Sequence, residues 1–169
     1  MEHLKYPIGK YQRENWPHPA QNIETIRTFP ERLEALLLFL DGKMHLSYRP
    51  GGWSAIQIIH HLADSHSNAY IRVKLALTEE NPTIKPYDEN AWAALPDANN
   101  PDIQSSLTIL KGIHIRLCDC LSQLSESQLD RTYFHPEAKK PYTLREMTSL
   151  YAWHCEQHLA HLKIIAQPA

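Results

Sequence analysis

The segment TLREMTSLYAWHCEQHLAHLKII, residues 143–165, constrains the fold more than any other part of the chain. Its apolar residues recur at helical spacing, so it predicts one long amphipathic helix. The apolar face consists of Leu144, Met147, Tyr151, Leu162 and Ile165. Thr143 is predicted to cap the first turn, with Glu146 at the capping-box position. A long helix with one apolar face needs other elements to cover that face, which favours a helical bundle.

Two histidines lie within this apolar face. At 100° per residue, His154 and His158 fall within about 60° of Tyr151. They are separated by one helical turn, so their rings can converge on one point. A tetrahedral zinc ion needs ligand nitrogens roughly 3.3 Å apart, which this spacing permits. The pair therefore predicts either half of a metal site or two core histidines that are satisfied by hydrogen bonds.

Three further amphipathic segments predict helices. They cover about residues 20–40 with Pro30 as a kink or the start of a new helix, residues 55–78 after a capping box of Ser54 and Gln57, and residues 101–124 with Asn100 as the cap. The proline-rich residues 1–19 predict an extended arm that lies on the body of the protein, and residues 130–143 predict a short β-hairpin or an irregular loop. A chain of 169 residues with this pattern predicts a single domain, an all-α four-helix bundle with long connections.

The helix predicted for residues 55–78 carries the candidates for a third ligand. With Leu62 set at 0°, His61 lies near −100° at the edge of the apolar face, whereas His60 lies near 160° and is predicted to face solvent. His66, near 40°, also points inward, so the angles leave it open. Asp64 lies one turn from His61 and either orients that ring as a carboxylate partner or remains solvated.

The connection formed by residues 79–101 is long enough to have a function of its own. It contains four prolines and predicts one short helical turn at residues 89–94. Lys85, Tyr87 and Trp92 are its candidates for contacting a ligand, and a packed crossover without such contacts is the alternative. His114, in the helix predicted for residues 101–124, has no partner one turn away and is predicted to be structural or exposed.

Composition excludes several classes of protein. The net charge of −2 gives no reason to expect nucleic acid or an anionic membrane as a partner. No run of apolar residues is long enough for a transmembrane helix, and the first residues lack the apolar core of a signal peptide, so a cytoplasmic location is expected. Cys118, Cys120 and Cys155 are expected to be reduced and mostly buried.

Several of these motifs resemble a known family. GGWSAIQIIHHLADSH followed by WHCEQHLAH resembles the DinB-like metalloprotein superfamily. YPIGKY, YIRVKLALTEENPTIKPYDENAW and LYAWHCEQHLAHL resemble its YfiT branch, bacterial proteins described as metal-dependent hydrolases. The resemblance implies a four-helix bundle, a homodimer, and one divalent metal ion per subunit. Its three histidine ligands correspond to His61, His154 and His158. Zinc is the expected ion, with nickel and iron as alternatives.

The resemblance also implies two kinds of chemistry. Related proteins transfer low-molecular-weight thiols such as bacillithiol to electrophiles, and an open metal position can activate either a thiol or water. Arg72 and Lys85 either anchor the carboxylates of such a small-molecule substrate or simply carry surface charge. His161 is a less favoured ligand or a group behind the ligands. The alternatives are a non-catalytic metal- or small-molecule-binding stress protein, its site closed by His66 or Cys155, and a bundle without metal.

Overall fold

The computed structural model describes residues 2–167, which form seven α-helices and one antiparallel hairpin. The helices are α1 (Glu2–Lys5), α2 (Pro19–Leu37), α3 (Ala55–Thr78), α4 (Glu89–Ala93), α5 (Gln104–Leu121), α6 (Glu126–Leu129) and α7 (Leu144–Ala166). The strands are β1 (Thr132–His135) and β2 (Lys140–Thr143), and short 3₁₀ turns cover Arg13–Asn15 and Asp97–Asn99. None of the helices in this part of the chain has the length and apolar content that crossing a membrane requires.

The four long helices α2, α3, α5 and α7 form a bundle, as the sequence predicted. Helix α2 packs against α5 and α7, and α3 packs against the same two helices. Consecutive long helices α2 and α3 therefore lie diagonally opposite each other, which explains why the chain needs a long connection between them. Phe29, Leu62, Leu117 and Leu144, one from each helix, are fully buried in the shared core.

The capping box predicted for α3 is present, whereas at α7 Thr143 acts as the cap but the Glu146 carboxylate, predicted to complete a capping box, pairs with Lys140 at 2.8 Å. The Ser54 hydroxyl accepts a hydrogen bond from the Gln57 amide at 3.2 Å, and the Gln57 side chain accepts one from the Ser54 amide at 3.0 Å. Thr143 accepts from the Glu146 amide at 3.0 Å. These contacts satisfy amides that have no partner inside the helix, so they fix where each helix begins.

Helix α2 continues through Pro30. A proline has no amide hydrogen, so the carbonyl four residues earlier, that of Ile26, lacks its usual helical donor. Pro30 therefore does not start a new helix, which was one of the two predictions, and the Ile26 carbonyl is left in the core for another partner.

The predicted hairpin is present before α7. Strands β1 and β2 pair in register from Thr132 opposite Thr143 to His135 opposite Lys140. The Ile84 amide donates to the Phe134 carbonyl at 3.1 Å, so the 79–101 connection is joined to β1. The hairpin and this connection together cover one end of the cleft between α3 and α7.

Two predicted boundaries were wrong. Helix α5 begins at Gln104 rather than at residue 101, because the side chains of Asn100 and Asp102 accept hydrogen bonds from amides two residues ahead and hold the chain in turns. Residues 1–19 are not uniformly extended: α1 and the 13–15 turn lie within them, since residues 2–5 contain neither proline nor glycine. The predicted packing of this arm on the body is found, with the Trp153 indole donating to the Gly9 carbonyl.

Candidate metal centre

Three histidine rings meet between α3 and α7. The Nε2 atoms of His61 and His154 lie 3.3 Å apart, and those of His154 and His158 lie 3.2 Å apart. Two nitrogens bound to one tetrahedral zinc ion are about 3.3 Å apart, so these separations match a shared ion. The helical spacing of His154 and His158 supplies one edge of the site, and the packing of α3 against α7 brings His61 to them.

The environment of these rings favours neutral imidazoles. Burial lowers the pKa of His61 to about 4 and holds the pKa of His154 and His158 well below the usual value. A neutral ring keeps one nitrogen lone pair for a metal ion, whereas a protonated ring has none. The Trp53 ring lies 4.5 Å from the His61 ring, centroid to centroid, and stacks parallel to His158 at 6.3 Å. Trp53 therefore restricts the orientation of both rings.

His161 lies directly behind His158. Its Nδ1 is 3.4 Å from Nδ1 of His158, and its Nε2 is 3.1 Å from the Lys5 carbonyl. The Tyr48 ring stacks on it at 4.0 Å. His161 thus contacts the ring of His158 on the side away from the three converging nitrogens, which fits the predicted position behind the ligands.

A second histidine cluster lies next to the first. His66 and His114 are buried with Cys155, and Nδ1 of His66 is 2.6 Å from Nε2 of His114. That distance is too short for two ligands of one tetrahedral ion and is typical of a hydrogen bond. Burial raises the pKa of the Cys155 thiol well above its usual value, so the thiol is protonated in the metal-free protein.

Neither His66 nor Cys155 closes the first site. His66 contacts His154 at Nδ1, on the far side of that ring, with an N–N distance of 3.1 Å. Among residues 2–167, no fourth histidine, cysteine or carboxylate joins His61, His154 and His158. A three-nitrogen centre leaves a coordination position free for water or substrate.

The centre faces a cavity of about 380 Å³. Aromatic side chains form much of its wall, namely Tyr6, Tyr48, Trp53, Tyr133, Tyr142, Tyr151 and Trp153. A more polar cavity of about 490 Å³ adjoins it, and five residues line both: Ser65, Arg72, Glu89, His135 and Tyr151. The two cavities together form a site with a metal-binding end and a polar end, which suits a small molecule with polar groups.

Only some of the other predicted site residues line the wall of a cavity. Arg72 lines both cavities, whereas Lys85 is exposed and lines neither. Tyr87 lines the polar cavity, and Trp92 packs on the Tyr87 ring at 4.4 Å. Asp64 does not orient His61: among the hydrogen bonds of the described chain, its carboxylate makes none to that ring. Burial raises the pKa of Asp64, the nearby Asp97 raises it further, and His60 lowers it.

The prediction that His60 faces solvent was wrong. His60 is buried, with Nδ1 2.7 Å from the Ser106 hydroxyl and Nε2 2.9 Å from the Asn100 carbonyl. The angular argument assumed one covered face, but the end of the 79–101 connection and α5 cover a second side of α3. His114, which the sequence left as structural or exposed, is also buried, because it faces His66 on α3 and the Ile26 carbonyl on α2.

The fold and this histidine centre define a known class of protein. The model of the DinB superfamily matches residues 21–162, and the chain belongs to that superfamily. This confirms the resemblance that the sequence motifs indicated.

Particular relatives match along almost the whole chain. "Putative metal-dependent hydrolase YfiT" of Bacillus subtilis (strain 168) is 40% identical, with 94% of this chain and 92% of the relative covered. A further "Putative metal-dependent hydrolase", from Oceanobacillus iheyensis, is 44% identical, with coverage of 94% and 93%. A solved structure, "YfiT from Bacillus subtilis is a probable metal-dependent hydrolase with an unusual four-helix bundle topology", aligns with a TM-score of 0.90 at 39% identity, covering 96% of this chain and 95% of that one.

Proposed function

We propose that this protein is a metal-dependent enzyme in which His61, His154 and His158 hold one divalent ion, with zinc expected. The observation that carries the proposal is the pair of Nε2–Nε2 distances, 3.3 and 3.2 Å, between neutral rings. Nitrogens this close, and with lone pairs facing one another, repel unless a cation or a proton lies between them. A divalent ion satisfies all three at once.

The residues around the centre have different roles in binding the ion and the substrate. An ion bound there supplies a position at which water or a thiol is deprotonated near neutral pH. Trp53 and Tyr151 exclude bulk water from the inner end of the cavity, and Tyr151 is held by donating to the Ser65 carbonyl at 3.3 Å. Arg72 offers a cation at the polar end. The substrate we propose is therefore a small molecule with an anionic group distant from its reacting atom.

Two reactions fit this site, and they differ in the nucleophile. Hydrolysis uses water and agrees with the names of the relatives. Thiol transfer uses a low-molecular-weight thiol: its sulfur forms a bond to the carbon of an electrophile, the leaving group departs with the bonding electrons, and the thiol proton passes to water. Arg72 lines the same cavity as the three histidines and would anchor the carboxylate of such a thiol. We propose thiol transfer as the reaction in the cell.

A non-catalytic metal-binding protein is the competing function. A sequestering site is best closed by a fourth protein ligand, which holds the ion more tightly and excludes substrate. The side of the three histidines that faces the cavity instead carries Trp53, Tyr151 and Ser65, none of them a ligand that zinc prefers. The open cavity therefore supports an enzyme.

Metal analysis tests the proposal. Protein purified without an affinity tag should contain about one equivalent of zinc, nickel or iron, and His154→Ala should lose most of it. His60→Ala is the matched control, since His60 is a buried histidine of α3 that does not face the cavity. If neither wild type nor variants bind stoichiometric metal after reconstitution, the site does not exist.

Activity assays then separate the functions. The loaded protein should consume a carboxylate-bearing thiol together with an electrophile, and His154→Ala should not. Cleavage of esters or amides without a thiol would identify hydrolysis instead. A stoichiometric metal site with neither activity would support the sequestering protein.

A further inference from the structure

A line of hydrogen-bonded groups runs from the back of His154 through the core of the bundle. Nδ1 of His154 is 3.1 Å from Nε2 of His66, and Nδ1 of His66 is 2.6 Å from Nε2 of His114. Nδ1 of His114 is 2.6 Å from the Ile26 carbonyl oxygen. We call these three histidines and the carbonyl the histidine relay. It takes one group from each of the four long helices, in the order α7, α3, α5 and α2.

The carbonyl end fixes the direction of the relay. A carbonyl oxygen only accepts hydrogen bonds, so Nδ1 of His114 must carry the hydrogen that it donates to Ile26. Pro30 leaves this carbonyl without its helical donor, so the His114 N–H satisfies an acceptor that would otherwise be unpaired in the core. In a neutral imidazole the other nitrogen, Nε2 of His114, is then an acceptor.

Each following bond is determined by the one before it. Since Nε2 of His114 accepts, Nδ1 of His66 must donate, and Nε2 of His66 becomes an acceptor. Nδ1 of His154 therefore carries a hydrogen and donates it to His66. The lone pair of His154 is left on Nε2, the atom that lies 3.3 and 3.2 Å from the Nε2 atoms of the other two ligands.

We propose that His66 and His114 are positioning residues of the metal centre, which hold His154 in the tautomer and orientation that present Nε2 to the ion. The inference rests on the proposed function, because the relay positions a metal ligand only if a metal ion binds at the three histidines. In metal sites the hydrogen bond made by the remote nitrogen sets which nitrogen binds the ion and raises the basicity of the ligand. Here a chain of imidazoles ending on a backbone carbonyl takes the place of the single carbonyl or carboxylate that usually does so.

The relay also explains why two histidines are buried without a charged partner. Burying a polar group without a hydrogen bond costs roughly 1–3 kcal/mol, yet every ring nitrogen of His66 and His114 has a partner. Leucine at either position would fill the space without this requirement. A second metal site of His66, His114 and Cys155 is the other interpretation of the cluster, and the 2.6 Å separation of its ring nitrogens argues against it.

Substitutions at His66 separate the positioning role from packing. His66→Leu removes the acceptor that faces His154, whereas His66→Gln keeps one acceptor and one donor on a side chain of similar reach. His60→Leu is the matched control on the same helix, because it removes an equally buried and hydrogen-bonded imidazole that does not touch a proposed ligand. His114→Gln provides a second test one step further along the relay.

Zinc affinity, measured by competition with a chelator, gives the first readout. We expect His66→Leu to weaken binding about 10- to 100-fold. His66→Gln should stay within about threefold of the wild type, and His60→Leu should lose stability without losing affinity. Cobalt loaded into wild type and His66→Gln should give the same visible spectrum, and His66→Leu a different one. Equal losses of affinity in His66→Leu and His60→Leu would overturn the proposal.

Nitrogen-15 NMR of the metal-free protein gives a readout that needs no metal. We expect the His154 ring to carry its hydrogen on Nδ1 in the wild type and to lose that preference in His66→Leu. A hydrogen on Nε2 in the wild type would overturn the relay even if the protein binds metal. Conversely, the predicted tautomer in a protein that binds no metal would mean that the proposed function fails while the relay stands.

Discussion

At the scale of single residues, Arg72 stands out because its charge faces the two cavities, where it partly offsets the rise that burial causes in the pKa of Glu89. It forms no ion pair with a carboxylate among residues 2–167, although it lines both cavities. The nearby Tyr87 hydroxyl is buried and has no hydrogen-bond partner in the same part of the chain. Unpaired groups of this kind in a cavity wall are available to a ligand.

Arg72→Ala should therefore raise KM for substrates that carry a carboxylate by about 10- to 100-fold, since a hydrogen bond to a charged group contributes roughly 1.5–3 kcal/mol. Turnover at saturation and metal content should change little. The measurement compares each acidic substrate with its methyl ester. Arg116→Ala is the control, because that guanidinium lies over the Tyr70 ring and outside both cavities. An equal rise in KM for acid and ester would contradict a carboxylate contact.

The separate residues of the centre differ in how far the sequence predicts them. Helical spacing allows His154 and His158 to converge, whereas the angle of His61 favours it over His60 but leaves His66 open, so the choice of His61 rests on the family resemblance. His114 could not be identified in this way, because its partner is a carbonyl on another helix. Pro30 gives the one local signal, an acceptor left without a donor at Ile26, but the sequence does not say which side chain satisfies it.

At the scale of secondary structure, the start of α3 decides where His61 points. Each residue of shift turns a helical side chain by 100°, so a helix that began one residue later in the same place would carry His61 away from α7. The Ser54 capping box defines this start. Helix α5 shows the converse. Two turns built by Asn100 and Asp102 delay its start beyond residue 101, where the sequence predicts it.

Ser54→Ala should lower the free energy of unfolding of the metal-free protein by about 1 kcal/mol, with a range of roughly 0.5–2 kcal/mol. The reason is the loss of the acceptor for the Gln57 amide. Urea titration provides the measurement. Ser125→Ala is the matched control: Ser125 forms the same capping box, but on the four-residue, largely exposed helix α6, so its loss should cost less. Equal losses in the free energy of unfolding would mean that the α3 cap stabilises the protein no more than the α6 cap does.

At the scale of the whole molecule, the metal centre and the core are connected. The histidine relay joins all four long helices, and Lys5, Tyr11 and Trp153 tie the N-terminal arm to α7 near the cavity. The bundle was predictable from four apolar stripes, because each stripe must be covered. The diagonal placement of α2 and α3 was not, since amphipathic patterns specify which face is buried but not which helix covers it.

The buried histidines should make the metal-free protein sensitive to mild acid. Burial lowers the pKa of His61 and His114 to about 4, from an ordinary value of 6.5. Between these values the unfolded chain binds more protons than the folded one, so stability is retained above pH 6.5 and falls as the pH drops toward 4. At 1.36 kcal/mol per pH unit, each of the two costs about 2 kcal/mol by pH 5.

Urea unfolding at pH 7.5, 6 and 5, with metal removed by a chelator, should show this loss of stability. In His114→Gln the loss should be smaller by the contribution of that one histidine. Metal-loaded protein should unfold at higher urea at every pH, because an ion that binds only the folded state stabilises it by mass action. The advantage should shrink in acid, since protons compete with the ion for the imidazoles. Metal-free protein that is as stable at pH 5 as at pH 7.5 would show that these histidines are not buried in the neutral form.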